Sequence, residues 1–241
     1  MDGGCRLVVR WRTLKQCMIR QENIISCHMG VRMLLYYFTG ALFALSNLAL
    51  RRIKIARYED LNDPFELETV DVDDEVHRLA LRETKKELNK NNGLICFSKS
   101  WSNPVLWGHY AEKYTGMCLG FDVTDKLLMP AIYKTRPPKM EIDPGTGKLT
   151  EKSMKRLLRT KFSDWKYEDE MRFFVELDHS TVESGKYFSP FSRDLVLREV
   201  ILGPRCELPL ESVRNIVADF EPPVDVLRSI IATDRFEVVK E

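Results

Sequence analysis

Trp165-Lys166-Tyr167-Glu168-Asp169-Glu170-Met171-Arg172-Phe173-Phe174-Val175-Glu176-Leu177 is the best strand candidate in the chain. Side chains alternate across a strand, so a continuous strand here puts Tyr167, Met171, Phe173, Val175 and Leu177 on one face. Glu168, Glu170 and Arg172 fall on the other. The first set is a core face, and such a strand needs neighbours that bury it. The second sets two carboxylates and a guanidinium in a row. One reading is a solvated face with local ion pairs, worth about 0.2–1 kcal/mol each. The other is a catalytic or binding carboxylate held rigid by a central strand.

Short strands and helices surround this segment. Leu35-Tyr36-Tyr37-Phe38 has β-type composition, Thr39-Gly40 reads as a turn, and Ala41 to Leu50 as a buried helix. The same span supplies 18 uncharged residues, Met33 to Leu50, near the minimum for a membrane crossing. Its internal turn and polar residues favour strand, turn and helix. Arg52–Ala56 alternates as a half-buried strand. Asn62-Asp63-Pro64 is turn chemistry, because the residue before proline is pushed out of the helical region. A polar helix is expected over about 73–92 with Gly93 as its stop, then a buried strand Leu94–Phe97 ending at Ser98. Ser102-Asn103-Pro104 opens a helix running to about Tyr114, and Met117–Phe121 is a strand. Residues 135–150 form the longest loop, a basic helix follows over about 151–162, and Glu199–Leu202, Pro209–Asp219, Val226–Ile231 and Phe236–Val239 complete the set. Strands outnumber a regular βαβ alternation, so the expected class is α+β: one domain over residues 33–241, with a mixed, mostly antiparallel sheet flanked by helices.

Charge and cysteine content narrow the function classes. The 241 residues carry 37 Lys and Arg against 36 Asp and Glu, which gives no bulk field for nucleic acid or a membrane surface. Residues 1–32 hold six basic and two acidic residues, leaving 31 and 34 for the rest. This basic leader has no continuous apolar stretch and does not read as a secretory signal. It is expected to be a poorly ordered extension ahead of a natural start at Met33. Six cysteines without a CxxC pair point to a reducing, cytoplasmic setting and to no metal site.

Candidate chemistry gathers at a few polar residues. His109, within Trp107-Gly108-His109-Tyr110, is either a satisfied helix histidine or a general acid/base beside aromatic surfaces. Ser98 ends a strand shortly before a helix start, where backbone amides can receive an anion. Asn62, Asp63 and Glu66 either brace a rigid turn or coordinate a ligand. No G-x-S-x-G elbow, P-loop or GxGxxG accompanies them. The expected site joins Ser98, His109, Glu168, Glu170 and Arg172.

Seven short motifs occur in order: Leu35–Thr39, Leu61–Glu66, Phe97-Ser98, Trp107–Ala111, Gly116–Asp122, Trp165–Arg172 and Val200–Gly203. In them the sequence resembles an uncharacterised bacterial family of domains of unknown function, with (F/L)NDPFE, WxHYA, GxCLxFD, WxYExExR and VILG signatures. The family often has Trp where Met171 stands. Its members are intracellular and sometimes associated with abortive infection or phage defence. The order of an aromatic/Thr strand, a Ser-ended strand and a Glu-x-Glu strand is also similar to ADP-ribosyltransferases. That similarity implies NAD as substrate, with Tyr37 and Thr39 lining the nicotinamide–ribose side and Ser98 bracing the site. Glu170 would then bind the ribose 2′-hydroxyl and Glu168 assist the nucleophile. The first strand reads Tyr36-Tyr37-Phe38 where that similarity leads one to expect Arg or His. Catalytic candidates are therefore Glu170, Glu168 and His109. Ligand-binding candidates are Tyr37, Thr39, Asn62, Asp63, Ser98, Trp107, Tyr110 and Arg172. The competing expectation is a non-catalytic module for a phosphate-bearing small ligand or a protein target.

Overall fold

A computed structural model describes residues 31–67, 75–143, 145 and 148–241. The expectations for the basic leader and its start fall almost wholly outside these residues. Arg32, the last residue of that leader, already belongs to the first strand, where it pairs with Thr124.

The apolar run after Arg32 divides where the composition changes. Strand β1 is Arg32–Thr39, Gly40 is extended, and helix α1 is Ala41–Ala49. β2 (Arg52–Ile55) and helix α2 (Glu75–Asn91) follow, then β3 (Asn92–Ser98). Gly93 does not stop the helix as expected but lies inside β3, packed so closely on Ile55 and Ala56 that a Cβ would not fit. Helix α3 (Pro104–Tyr110) is capped by Asn103, whose side chain accepts from the Val105 amide. It ends four residues earlier than expected, because Glu112, Lys113 and Tyr114 all take positive φ.

The remaining strands are β4 (Met117–Thr124), β5 (Leu128–Pro130), β6 (Ile132–Lys134), β7 (Ile142–Asp143), β8 (Lys148–Leu149), β9 (Thr160–Phe162), β10 (Glu170–Glu176), β11 (Tyr187–Pro190), β12 (Leu195–Leu202), β13 (Asp225–Ile231) and β14 (Val238–Lys240). Helices α4 (Glu151–Arg159) and α5 (Leu210–Val217) lie between them. The main sheet runs β14-β13-β12-β4-β1-β3-β10-β5, antiparallel throughout except for the parallel β12–β13 pair. Three two-stranded sheets complete an α+β fold.

The strand expected over Trp165–Leu177 is shorter than its alternation suggests. Ser163–Glu168 forms a 3-10 turn, Asp169 takes a left-handed φ of 43°, and β10 begins only at Glu170. Tyr167 and Glu168 therefore do not share faces with the residues of β10. Nor is the charged side of β10 a solvated face: Glu170 is 3% exposed and Arg172 0%.

Both faces of the sheet are covered, but differently. On one, Leu35, Phe97, Leu119, Phe121, Met171 and Phe173 join one continuous core with Ala44 and Leu48 of α1 and Val213 and Val217 of α5. On the other, the apolar packing forms two separate clusters. Leu94 and Phe174 pack with Leu81 and Leu88 of α2 and Leu157 and Leu158 of α4. Trp107 and Ala111 pack on Cys118, Ile201 and Phe38. Among the described residues no helix is long and apolar enough to cross a membrane.

Candidate functional site

A polar row crosses the sheet on the divided face. Glu170 of β10 stands opposite Ser98 of β3, Ser98 opposite Tyr36 of β1, Tyr36 opposite Gly120 of β4, and Gly120 opposite Glu199 of β12. Residues directly opposite one another across strands project to the same side. Gly120 leaves room there, since a Cβ would come within 3.2 Å of the Tyr36 ring and of a Glu199 oxygen. Tyr36, which sequence reasoning passed over for Tyr37, is thus the β1 tyrosine on the Glu170 side. Tyr37 turns the other way, edge-on to Phe97 with centroids 6.3 Å apart, and burial pushes its phenol up to about 12.

The row opens onto a cavity of about 260 Å3. Tyr36, Phe38 and Leu106 line one side, Leu61 and Cys96 another, with Asn62, Ser98, Tyr110, Lys161, Glu168 and Glu170 supplying polar groups. Tyr37 also borders it. Thr39 is buried at the far end of β1, opposite Met117, and is not part of the lining. Trp107 is a core residue whose indole donates to the Trp101 carbonyl at 2.6 Å. His109 faces outward: its Nδ1 is 2.8 Å from the Tyr167 hydroxyl, and its ring meets Trp165 edge-on. It does not line the cavity.

At the cavity floor lies a buried charge cluster whose centre is Lys161. Its Nζ is 2.5 Å from Glu168 Oε2, 3.4 Å from Glu170 Oε2 and 3.3 Å from Glu66 Oε1. Arg172 donates through Nε and Nη2 to the two oxygens of Glu170, at 3.1 and 3.0 Å, and through Nη1 to the Leu158 carbonyl at 2.8 Å. Its Nη2 also lies 2.7 Å from Glu66 Oε2. Three carboxylates thus face two cations. From sequence Glu66 reads only as a turn brace or ligand contact, and Lys161 is not singled out; it reads as part of a basic helix, and only its three-way packing reveals it.

Protonation follows from this arithmetic. Burial raises the pKa of Glu66, and its two cations do not fully offset that cost. Burial acts on Glu170 the same way, but Arg172 and Lys161 outweigh it and hold its carboxyl below the ordinary range. Glu170 is therefore held ionised at neutral pH, and of the two Glu66 holds its proton more tightly. Lys161 is held charged by the three carboxylates against its own burial.

A second chain of bonds reaches the cluster from the cavity wall. Asn62 donates to the Tyr110 hydroxyl, which donates to Glu168 Oε1. Burial, followed by the neighbouring Glu168, raises the Tyr110 pKa well above its usual value, so the phenol stays a donor. The Tyr133 hydroxyl accepts from the Glu170 amide at 2.8 Å, fixing the first residue of β10. The Ser98 hydroxyl donates to the Ser100 carbonyl at 3.1 Å. Asp63 is buried away from this cavity, with Oδ1 accepting the Phe65 amide at 2.9 Å.

Among the described residues no group of His, Cys, Asp and Glu has a metal-binding arrangement. The place a cation would take among Glu66, Glu168 and Glu170 is filled by the Lys161 ammonium. No protein-family profile, curated protein or solved structure matches the chain.

Proposed function

We propose that this cavity receives the nicotinamide-ribose portion of NAD and that the protein transfers ADP-ribose to an acceptor. The observation that carries the reading is the Glu170–Ser98–Tyr36 row, in which three sequentially distant motifs meet on adjacent strands beside one cavity. Glu170 is ionised and immobilised by Arg172, so its negative charge is already in place where an oxocarbenium-like ribose would develop positive charge. Such preorganisation costs no reorientation during the reaction. The C1′–nitrogen bond breaks with its electron pair leaving on nicotinamide, which departs neutral. C1′ then bonds to the acceptor nucleophile, whose proton passes to Glu168. Tyr110 and Lys161 hold Glu168 for that role. The resemblance to a family sometimes associated with abortive infection or phage defence fits an effector that acts inside the cell on NAD.

A module that binds without catalysis is favoured by one observation: both Glu170 oxygens already accept from cations, leaving little capacity for a ribose hydroxyl. Incubation with NAD labelled in its adenylate portion separates the two. Glu170→Gln keeps the side-chain shape and still leaves Glu66 and Glu168 facing the two cations, and its own thermal melt tells lost chemistry from lost structure. The transferase reading expects label on a protein or small-molecule acceptor, lost in Glu170→Gln when both proteins are assayed well below the variant's own melting temperature. Saturable NAD binding with no nicotinamide release under any acceptor condition would leave only the binding module.

A further inference from the structure

Lys161 borders a second cavity as well, on the far side of the charge cluster. This one measures about 210 Å3 and is walled by Phe65, Leu67, Leu157, Phe162 and the Pro137-Pro138 turn. Three features there are unexplained by the fold. Phe65 and Phe162 are 63% and 42% exposed, and among the described residues neither ring packs against another aromatic. Lys134 and Arg136 stand exposed in the lining, and among the described residues neither pairs with a carboxylate. Asp63, another lining residue, is 3% exposed, and its Oδ2 is buried with no hydrogen-bond partner.

A buried carboxylate oxygen without a partner is costly, and a ligand donor relieves it. Two free cations beside an apolar cleft favour an anionic group. Exposed aromatic rings favour a flat π-surface, and base–aromatic stacking has no need of a particular sequence. We infer that this cavity binds an adenylate: the base lies against Phe65 and Phe162, the exocyclic amine donates to Asp63 Oδ2, and the phosphate meets Lys134 and Arg136. Adenine suits the single free oxygen because its exocyclic amine is one donor group. The volume is below the about 300–1,000 Å3 of a pocket that encloses a drug-sized ligand, so it encloses the base and leaves the ribose and phosphate at the rim, where Lys134 and Arg136 are exposed. The adenylate comes either as free AMP or as the AMP half of NAD. The site stands on its own residues and does not require the transferase reading.

Calorimetry with the full chain tests it, using AMP, inosine monophosphate, adenosine and NAD as separate ligands. AMP binding is expected to weaken by about tenfold or more in Lys134→Glu/Arg136→Glu and in Phe162→Ala, positions whose exposure spares the fold. Inosine monophosphate, which lacks the amine, is expected to bind more weakly than AMP, as is adenosine, which lacks the phosphate. If NAD weakens in parallel with AMP, the site takes the AMP half of the dinucleotide; if only AMP weakens, it takes the free nucleotide. Absence of AMP binding, or AMP affinity unchanged in both variants, overturns the assignment. Its failure is distinguishable from failure of the transferase reading, which is read from nicotinamide release and its loss in Glu170→Gln.

Discussion

The two faces of the central sheet solve different problems with the same strands. One is a continuous apolar core in which Leu35, Phe97, Phe121 and Phe173 interlock under α1 and α5. The other is split into two apolar clusters, with a cavity bordered by both and a buried five-residue charge cluster at its floor. A buried ion cluster is a poor way to gain stability, since hydrophobic residues of equal volume often do as well or better. A fold that already has one complete core has no need of charge on the opposite face. That contrast is the ground on which we propose a site on the divided face, because catalytic and binding sites gather perturbed carboxylates beside a cavity.

The largest effects separate the two faces by how a loss is repaired. Phe121→Ala empties space in the continuous core and is expected to cost about 3–5 kcal/mol in chemical denaturation. Arg172→Met is expected to cost a similar amount, about 3–5 kcal/mol, by leaving carboxylates buried without their guanidinium. The difference lies in rescue. Adding Glu170→Gln to Arg172→Met recovers a measurable part of the loss, because it removes the charge that had been stranded. No polar substitution recovers Phe121→Ala. An Arg172→Met variant as stable as the wild type would break the contrast between the faces.

Tyr110→Phe tests the link between cavity wall and charge cluster at a smaller scale. It deletes the donor to Glu168 and the acceptor for Asn62 while keeping the ring. A loss of about 1–2 kcal/mol is expected from the unsatisfied carboxylate, with the cavity shape retained. Under the transferase reading NAD turnover falls further than NAD affinity. An equal fall in both would show that Tyr110 serves binding alone.

The sequence carried one of these faces far better than the other. Strand, turn and helix around Thr39-Gly40 were legible because composition changes abruptly there, and the core face of β10 followed from Met171 and Phe173. The divided face was hidden for three physical reasons. Period-2 spacing continues on paper through Glu168, Asp169 and Glu170, although the chain turns at Asp169, a residue type that tolerates a left-handed backbone. Register decides whether Tyr36 or Tyr37 stands beside Glu170, and no local pattern encodes register between β1 and β3. Lys161 and Glu66 meet across 95 positions of sequence, so their pairing exists only after folding.

The smallest effect expected is the most telling for the charge cluster. Glu66→Gln removes one of three acids facing two cations and should leave stability near neutral pH within about 1 kcal/mol of the wild type. Its signature lies in pH dependence. The pKa of Glu66 is raised by folding, so the stability it contributes is fully present below the ordinary glutamate value and is lost as pH rises through the raised one. Glu170 works in the opposite sense: its lowered pKa adds stability above the ordinary value, lost as pH falls through the folded one. Denaturation measured from acid to neutral pH should therefore show a wild-type decline on the upper side that Glu66→Gln lacks, while both share the acid limb set by Glu170. A constant difference between the two proteins across that range would mean that folding does not raise the pKa of Glu66, which would then be ionised at neutral pH. The cluster would then hold a full negative excess, and a cationic occupant of the adjoining cavities would become the better expectation.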